Sequence, residues 1–188
     1  MNRILILLWL AIATAASAAQ PNILLIIADD YGVDGSSLFN STNAGATLPP
    51  TPNIASLVTN GVVFRNTYAN PLCSPTRACL LTGRHGFRTG IGTVVQGSQP
   101  PLSATEFTLP KAFSANGSLG YQLAQFGKWH LANSVTAPLS VGGWTNYAGN
   151  LIGQVTDYYN WSKTSNGADL TLKDVSPPAR RAFYLVVR

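Results

Sequence analysis

Residues 73–84 have the sequence CSPTRACLLTGR, and this stretch decides how the rest of the chain is interpreted. The backbone φ angle of Pro75 suits the first turn of a helix, and Ser74 can cap the helix from just before it. The stretch therefore predicts a helix with Cys73 at or just outside its N-terminus, where amide N–H groups and the helix dipole favour anions. Arg77, about one turn further on, is expected on the same face.

An unbroken apolar run, ILLIIA at residues 23–28, comes directly before Asp29 and Asp30. Such a run is typical of a parallel strand buried on both faces. Open α/β sheets bind ligands at the carboxyl ends of their strands, so both aspartates would lie at that edge. Adjacent carboxylates repel each other, and oxygen ligands suit calcium or magnesium as the counter-charge. A solvated turn without a metal is the alternative.

A third motif, FGKWHL at residues 126–131, follows shortly after Gly120-Tyr121. The residues before it read as a short strand, so Lys128 and His130, two positions apart, are expected to point the same way from its end. An isolated pair of this kind is more often a surface lysine and a structural histidine. Its place after the other two motifs favours a shared site.

The three motifs, in this order, resemble those of the sulfatases, in which the C-x-P-x-R cysteine is oxidised after translation to formylglycine, an aldehyde. The resemblance covers residues 21 to about 159 and departs at Thr76, where serine is usual. It implies an α/β fold of the alkaline-phosphatase-like superfamily, with a doubly wound, mixed and mainly parallel sheet flanked by helices. It also implies an arylsulfatase-like hydrolase of sulfate monoesters.

The resemblance implies four catalytic residues. Cys73, as formylglycine hydrate, would attack the sulfur atom with one hydroxyl and expel inorganic sulfate with the other, a second step that serine cannot perform. Arg77 and Lys128 would stabilise charge on the sulfate oxygens. His130 would contact the hydrate or the substrate oxygen.

The same resemblance implies a metal and a maturation partner. Asp29, Asp30 and the modified Cys73 would bind Ca²⁺, with Mg²⁺ possible. The partners would be a formylglycine-generating enzyme and a small-molecule or carbohydrate sulfate ester. Aryl, carbohydrate and steroid sulfates all stay open as substrates.

The N-terminus has the pattern of an export signal. Arg3 precedes the apolar residues 4–13, and small residues follow at 16–19. Residues 1–19 are therefore predicted to be a signal peptide, and residues 20–188 the N-terminal part of a catalytic domain. The apolar stretch is too short to favour a membrane span, although an uncleaved anchor is an alternative. We expect a periplasmic or secreted protein, lysosomal or extracellular in a eukaryote.

Composition argues against two other functions. The chain carries 12 basic and 7 acidic residues, a net charge of +5, without a lysine-rich run, so no nucleic-acid partner is expected. Two cysteines and two histidines make a closed zinc site improbable.

Local signals predict several further elements. Pro52 begins a helix capped by Thr51, residues 62–68 form a strand, and residues 108–116 form a weaker helix. The glycine-rich residues 83–110 are expected to form an irregular loop over the site.

The resemblance weakens after residue 166, and the chain has no Asp-Asn or Asp-His pair, which sulfatases use to complete the metal site. We therefore expect the N-terminal part of a longer sulfatase, with a fold incomplete at the C-terminus and weak activity by itself. Two alternatives stay open: a phosphatase or phosphonate hydrolase of the same superfamily, and a non-catalytic secreted protein with an anion-binding surface.

Overall fold

The computed structural model describes residues 20–40, 47–155, 157, 160–173 and 183–187, and the predicted signal peptide at 1–19 lies outside these residues. Six strands form one sheet in the order β1-β6-β2-β3-β4-β5. Their bounds are β1 Ile23–Ile27, β2 Leu123–Phe126, β3 Asn146–Gly149, β4 Asn160–Ser165, β5 Ala168–Lys173 and β6 Phe183–Val187.

Five α-helices accompany the sheet in the described part of the chain: α1 Pro52–Asn60, α2 Cys73–Thr82, α3 Gly86–Thr89, α4 Leu109–Ala115 and α5 Ala137–Ser140. Short 3₁₀ turns span Val33–Gly35 and Gly117–Leu119. Among the described residues, no helix has the length and apolar character needed to cross a membrane.

The predicted α/β class, with a mixed sheet and flanking helices, is confirmed. Pairing between neighbouring strands is less parallel than predicted: of the described pairs, only β2 and β3 run parallel. Strand β6 lies between β1 and β2 and runs antiparallel to both, so these two parallel strands are not neighbours. The β4–β5 hairpin adds a second antiparallel unit. An apolar run favours a strand, but it does not specify the direction of the neighbouring strand.

Helix α2 begins at Cys73 itself and ends at Gly83, whose φ of 66° is the left-handed conformation that glycine adopts easily. The predicted capping by Ser74 is wrong, since the N-cap is Leu72 and no side chain caps the helix. The Ser74 hydroxyl instead accepts a hydrogen bond from the backbone N–H of Val95 at 2.9 Å. This bond ties the loop after α3 to the first turn of α2.

The other local predictions have mixed outcomes. The helix at Pro52 is confirmed, but Thr51 makes no capping bond. The helix after Thr108 is also confirmed, and the Thr108 hydroxyl accepts from the N–H of Lys111. The strand predicted at 62–68 is wrong, because this stretch is irregular. The 83–110 loop is irregular except for α3 and the first two residues of α4.

The buried core lies around α2, β2 and β3. Its largest side chains are Trp129, Tyr147, Ile91, Leu102, Leu123 and Leu131. From β1 only Leu25 packs against this core, whereas Leu24 is 55% exposed and Ile26 46% exposed. The predicted burial of β1 on both faces is therefore not found within the described residues. The core instead supports the two loops that follow β2 and β3.

Candidate active site

The three motifs meet at Asp29, directly after β1. The Cys73 thiol lies 3.6 Å from Asp29 Oδ1. Asp29 Oδ2 is 2.8 Å from Lys128 Nζ and 3.4 Å from an Nη atom of Arg77. We call these four residues the Asp29 cluster. The predicted site residues Asp29, Cys73, Arg77 and Lys128 are thus brought together from a strand end, a helix N-terminus and a loop.

Arg77 is fixed in the site from two sides. It is buried, and one Nη donates a 2.7 Å hydrogen bond to the backbone carbonyl of Lys128. The same carbonyl accepts from the side-chain amide of Gln125 at 3.1 Å. Burial lowers the pKa of Arg77 from its ordinary value, and the charge of Asp29 opposes this shift. The guanidinium therefore keeps its charge and ties α2 to the loop after β2.

Asp29 is an ionised partner of both cations. Burial raises the pKa of its carboxyl, but the hydrogen bond and charge of Lys128, together with the charge of Arg77, outweigh burial and leave the pKa below its ordinary value. Within this cluster two positive groups face one carboxylate. Because both cations are buried, the surplus positive charge is weakly screened and favours an anionic ligand.

His130 is buried, at 4% exposure, and its two ring nitrogens have no hydrogen-bond partner among the described residues. Its φ of 58° is left-handed, a conformation that histidine adopts more readily than most residues. Burial first, and then the charges of Lys128 and Arg77, lower the pKa of His130 to about 4. The imidazole is therefore neutral at pH 7, with one N–H donor and one lone-pair acceptor.

Three residues that the sequence analysis did not identify position the loop around Lys128 and His130. The buried Tyr147 hydroxyl lies 2.9 Å from the carbonyl oxygens of both Gly127 and Asn150, and burial raises the pKa of that hydroxyl. A Cβ at Gly149 would overlap the backbone of Gly127. A Cβ at Gly153 would lie 2.7 Å from Cε1 of His130. A glycine inside a strand is a signal of close backbone approach, which would have identified Gly149.

The end of the signature stretch anchors the following loop. Arg84 Nη1 lies 2.7 Å from both carboxylate oxygens of Glu106, which is buried. Lys111 Nζ donates to the carbonyls of Ala104 and Glu106 at 2.9 Å each. These contacts fix residues 104–111 against the end of α2, so Arg84 is a structural residue of the described fold.

Two of the three predicted metal ligands lie close together. Asp29 and Cys73 lie together, while Asp30 is exposed and has a φ of 54°. In the described part of the chain, no group of three or more His, Cys, Asp or Glu side chains could hold a metal ion. The carboxylate oxygens of Asp29 and Asp30 suit a hard cation, but calcium prefers about six to eight oxygens, so further ligands are needed.

Comparisons with known proteins agree on one family. A sequence model of the sulfatase family matches residues 21–176. The chain is 34% identical to human steryl-sulfatase over 138 residues, which are 69% of this chain and 22% of that protein. It is 38% identical to bovine arylsulfatase A over 128 residues, 66% of this chain and 24% of that protein.

A bacterial relative and a solved structure extend the match. The chain is 31% identical to the N-acetylglucosamine-6-O-sulfatase of Bacteroides thetaiotaomicron over 164 residues, 82% of this chain and 26% of that protein. The crystal structure of Ps i-CgsB matches with a TM-score of 0.65 and 25% identity, over 82% of this chain and 38% of that one. The chain thus spans 22% to 26% of the length of these curated relatives.

Proposed function

We infer that the intact protein hydrolyses sulfate monoesters, because the chain belongs to the sulfatase family. One observation carries the proposal: Cys73, Arg77 and Lys128 converge on a buried site with surplus positive charge. A sulfate monoester carries a single negative charge, which such a site attracts.

Cys73 is the proposed nucleophile precursor. A formylglycine-generating enzyme would oxidise it to formylglycine, whose hydrate supplies a hydroxyl that displaces the alcohol from sulfur and a second hydroxyl that expels inorganic sulfate as the aldehyde reforms. The position of Cys73 as the first residue of α2 supports this role, because the dipole and free N–H groups of a helix N-terminus favour an anion there.

Arg77 and Lys128 would hold the sulfate oxygens that are not transferred. An ammonium has three N–H donors and a guanidinium five, so each can bind sulfate and still keep its bond to Asp29. Removing one such donor from an active site typically costs about 10²–10³ in turnover. Because both side chains are already fixed by Asp29, little reorganisation is needed when sulfate binds.

His130 would bridge the nucleophile and the ester. A neutral imidazole can accept a proton at one nitrogen from a hydroxyl on residue 73 and donate from the other to the ester oxygen. Its two buried nitrogens have no partner in the described part of the chain, which supports this role, since burying a polar group without a partner costs about 1–3 kcal/mol.

Asp29 and Asp30, with the modified Cys73, would hold Ca²⁺ or Mg²⁺ together with ligands from elsewhere in the intact protein. The cation would act as a Lewis acid that polarises oxygen. We also propose that residues 1–19 direct export, so the enzyme acts in a periplasm or outside the cell, with a small-molecule or carbohydrate sulfate ester as substrate.

The test uses the intact protein, produced together with a formylglycine-generating enzyme. Mass spectrometry of the peptide that contains residue 73 should detect the aldehyde, and 4-nitrophenyl sulfate should be hydrolysed faster than 4-nitrophenyl phosphate. Cys73→Ala should reduce hydrolysis to the background rate, and Cys73→Ser should retain covalent sulfate on that peptide.

Two outcomes would replace this proposal. A preference for the phosphate ester would assign the site to a phosphoesterase or phosphonate hydrolase of the same superfamily. An unmodified thiol, with binding of sulfate but no turnover, would identify an anion-binding protein.

A further inference from the structure

We propose that a polar cavity next to His130 is a sugar subsite, so that the substrate is a sulfated carbohydrate. This inference rests on the proposed function and names its substrate class. The cavity has a volume of about 310 Å³ and lies between residues 150–155 and the β4–β5 hairpin. Its polar and aromatic lining residues are Asn133, Asn150, Gln154, Trp161, Ser162, Thr164 and Asp169, and three aliphatic residues, Leu151, Ile152 and Val155, complete the lining.

One backbone segment, residues 151–153, contacts both the cavity and His130. Leu151 lines the cavity, and its carbonyl accepts a 2.8 Å hydrogen bond from the backbone N–H of His130. Two residues later, Gly153 contacts the imidazole so closely that a Cβ would lie 2.7 Å from Cε1. A substrate whose ester oxygen reaches His130 would therefore have its alcohol portion beside this segment.

The lining offers the hydrogen-bonding groups that sugar hydroxyls require. The amides of Asn133 and Gln154 each provide two donor hydrogens and one acceptor oxygen, and both side chains are exposed to solvent at the cavity. Asp169 accepts a hydrogen bond from the Thr164 hydroxyl, which uses one of about four acceptor positions on the carboxylate. Several donors and acceptors therefore face the same cavity.

Trp161 adds a flat aromatic surface to the lining of this cavity. Its side chain is half-buried and lines the same space as the amides of Asn150 and Gln154. A sugar ring has polar hydroxyls at its rim and apolar C–H groups on its faces, so it matches an indole combined with amides and a carboxylate. A volume of about 310 Å³ is at the small end of ligand pockets and suits one sugar unit.

The same lining disfavours a steroid or simple aryl alcohol. Such a group offers few hydrogen-bond partners, so its binding would desolvate the amides and the carboxylate without compensation. Sites built around hydrogen bonds reject analogues that lack the matching groups far more strongly than apolar pockets reject an extra methylene. The cavity therefore distinguishes among sulfate esters that share the same sulfate site.

The experiment compares Trp161→Ala with wild type in the intact, formylglycine-containing protein. The substrates are 6-O-sulfated glucose, galactose and N-acetylglucosamine, with 4-nitrophenyl sulfate and a steroid sulfate as reference esters. Wild type should have its highest kcat/KM on a sugar ester. Trp161→Ala should raise KM for that ester about tenfold, with kcat within about twofold and with a clearly smaller increase of KM for 4-nitrophenyl sulfate.

Two further variants keep the test decisive. Gln154→Ala removes an exposed amide, so it tests the cavity even if Trp161→Ala fails to fold, and it should also raise KM for the sugar ester alone. Phe107→Ala removes an aromatic side chain that is 62% exposed and outside the cavity. It should leave KM unchanged for both the sugar ester and 4-nitrophenyl sulfate.

Any of three results overturns the inference. The steroid sulfate could have the highest kcat/KM. Alternatively, Trp161→Ala and Gln154→Ala could both leave KM for the sugar ester unchanged, or both could raise KM equally for all esters. Absence of hydrolysis of every ester would refute the proposed function instead. In that case the subsite is tested by calorimetry of the unsulfated sugars binding to the protein. Sugar binding that both variants weaken supports the subsite, and absence of sugar binding to wild type refutes it.

Discussion

Acidification should destabilise the protein through His130. The pKa of this histidine is about 4 in the folded protein and 6.5 in the unfolded chain. The unfolded chain therefore takes up the proton first as the pH falls. The stability that depends on neutral His130 is complete above pH 6.5 and is lost as the pH falls from there to about 4. Integration from pH 7 to pH 4.5 gives a loss of about 2 kcal/mol.

The measurement is the free energy of urea unfolding at these two pH values, in buffer with a chelator so that no cation binding contributes. His130→Asn is the informative variant, because asparagine does not titrate and tolerates the left-handed backbone at this position. It should lose about 2 kcal/mol less than wild type over this pH interval. Carboxylates titrate in both proteins, so their contribution cancels in the comparison.

His85→Asn is the matched control, since the chain has two histidines and His85 is exposed. It should follow the wild-type pH dependence. If His130→Asn and wild type lose the same free energy, within about 0.5 kcal/mol, then His130 is not held neutral by its surroundings. The proposed donor and acceptor roles of its ring nitrogens would then lose their support.

Two substitutions test the rest of the site. Lys128→Met removes one of the two buried cations on Asp29, so kcat/KM of the intact protein for 4-nitrophenyl sulfate should fall about a hundredfold or more; a decrease below about tenfold would contradict the proposed sulfate contact. Gly149→Ala places a Cβ against a neighbouring backbone, so urea unfolding should show a loss of about 1–3 kcal/mol. Gly92→Ala, where an added Cβ meets nothing within 4 Å, should change stability little, and equal effects of the two glycine substitutions would refute the close approach.

The helices and strands that could be predicted are those that depend on residues close together in the sequence. A proline suited to a first turn and a glycine suited to left-handed φ are enough to predict α2 and its end at Gly83. The apolar run before Asp29 likewise predicts β1. No local rule places Cys73, Arg77 and Lys128 beside Asp29, because these residues are distant in the chain. Their shared site was predicted from the resemblance of the three motifs to sulfatases.

The remaining features depend on tertiary contacts that sequence patterns do not encode. The hydroxyl of Ser74 could cap a helix or bond a distant amide, and in the folded chain it bonds Val95. Residues 62–68 have the composition of a strand but are irregular. The neighbour of β1 in the described sheet is β6. Gly153 packs against the ring of His130, whose nitrogens have no partner within the described residues, and neither contact nor absence follows from a local sequence pattern.

The Asp29 cluster explains how one site can hold two buried cations before any substrate arrives. Two such cations alone would repel each other and lose their hydration, and a single carboxylate between them offsets both costs. Its negative charge is smaller than theirs combined, so the attraction for an incoming anion persists. Arg77 is held in addition by the carbonyl of Lys128, which fixes the two side chains relative to each other. Asp29 therefore fixes the geometry of the anion site as well as supplying a ligand to the proposed cation, and these two roles require the same ionised carboxylate.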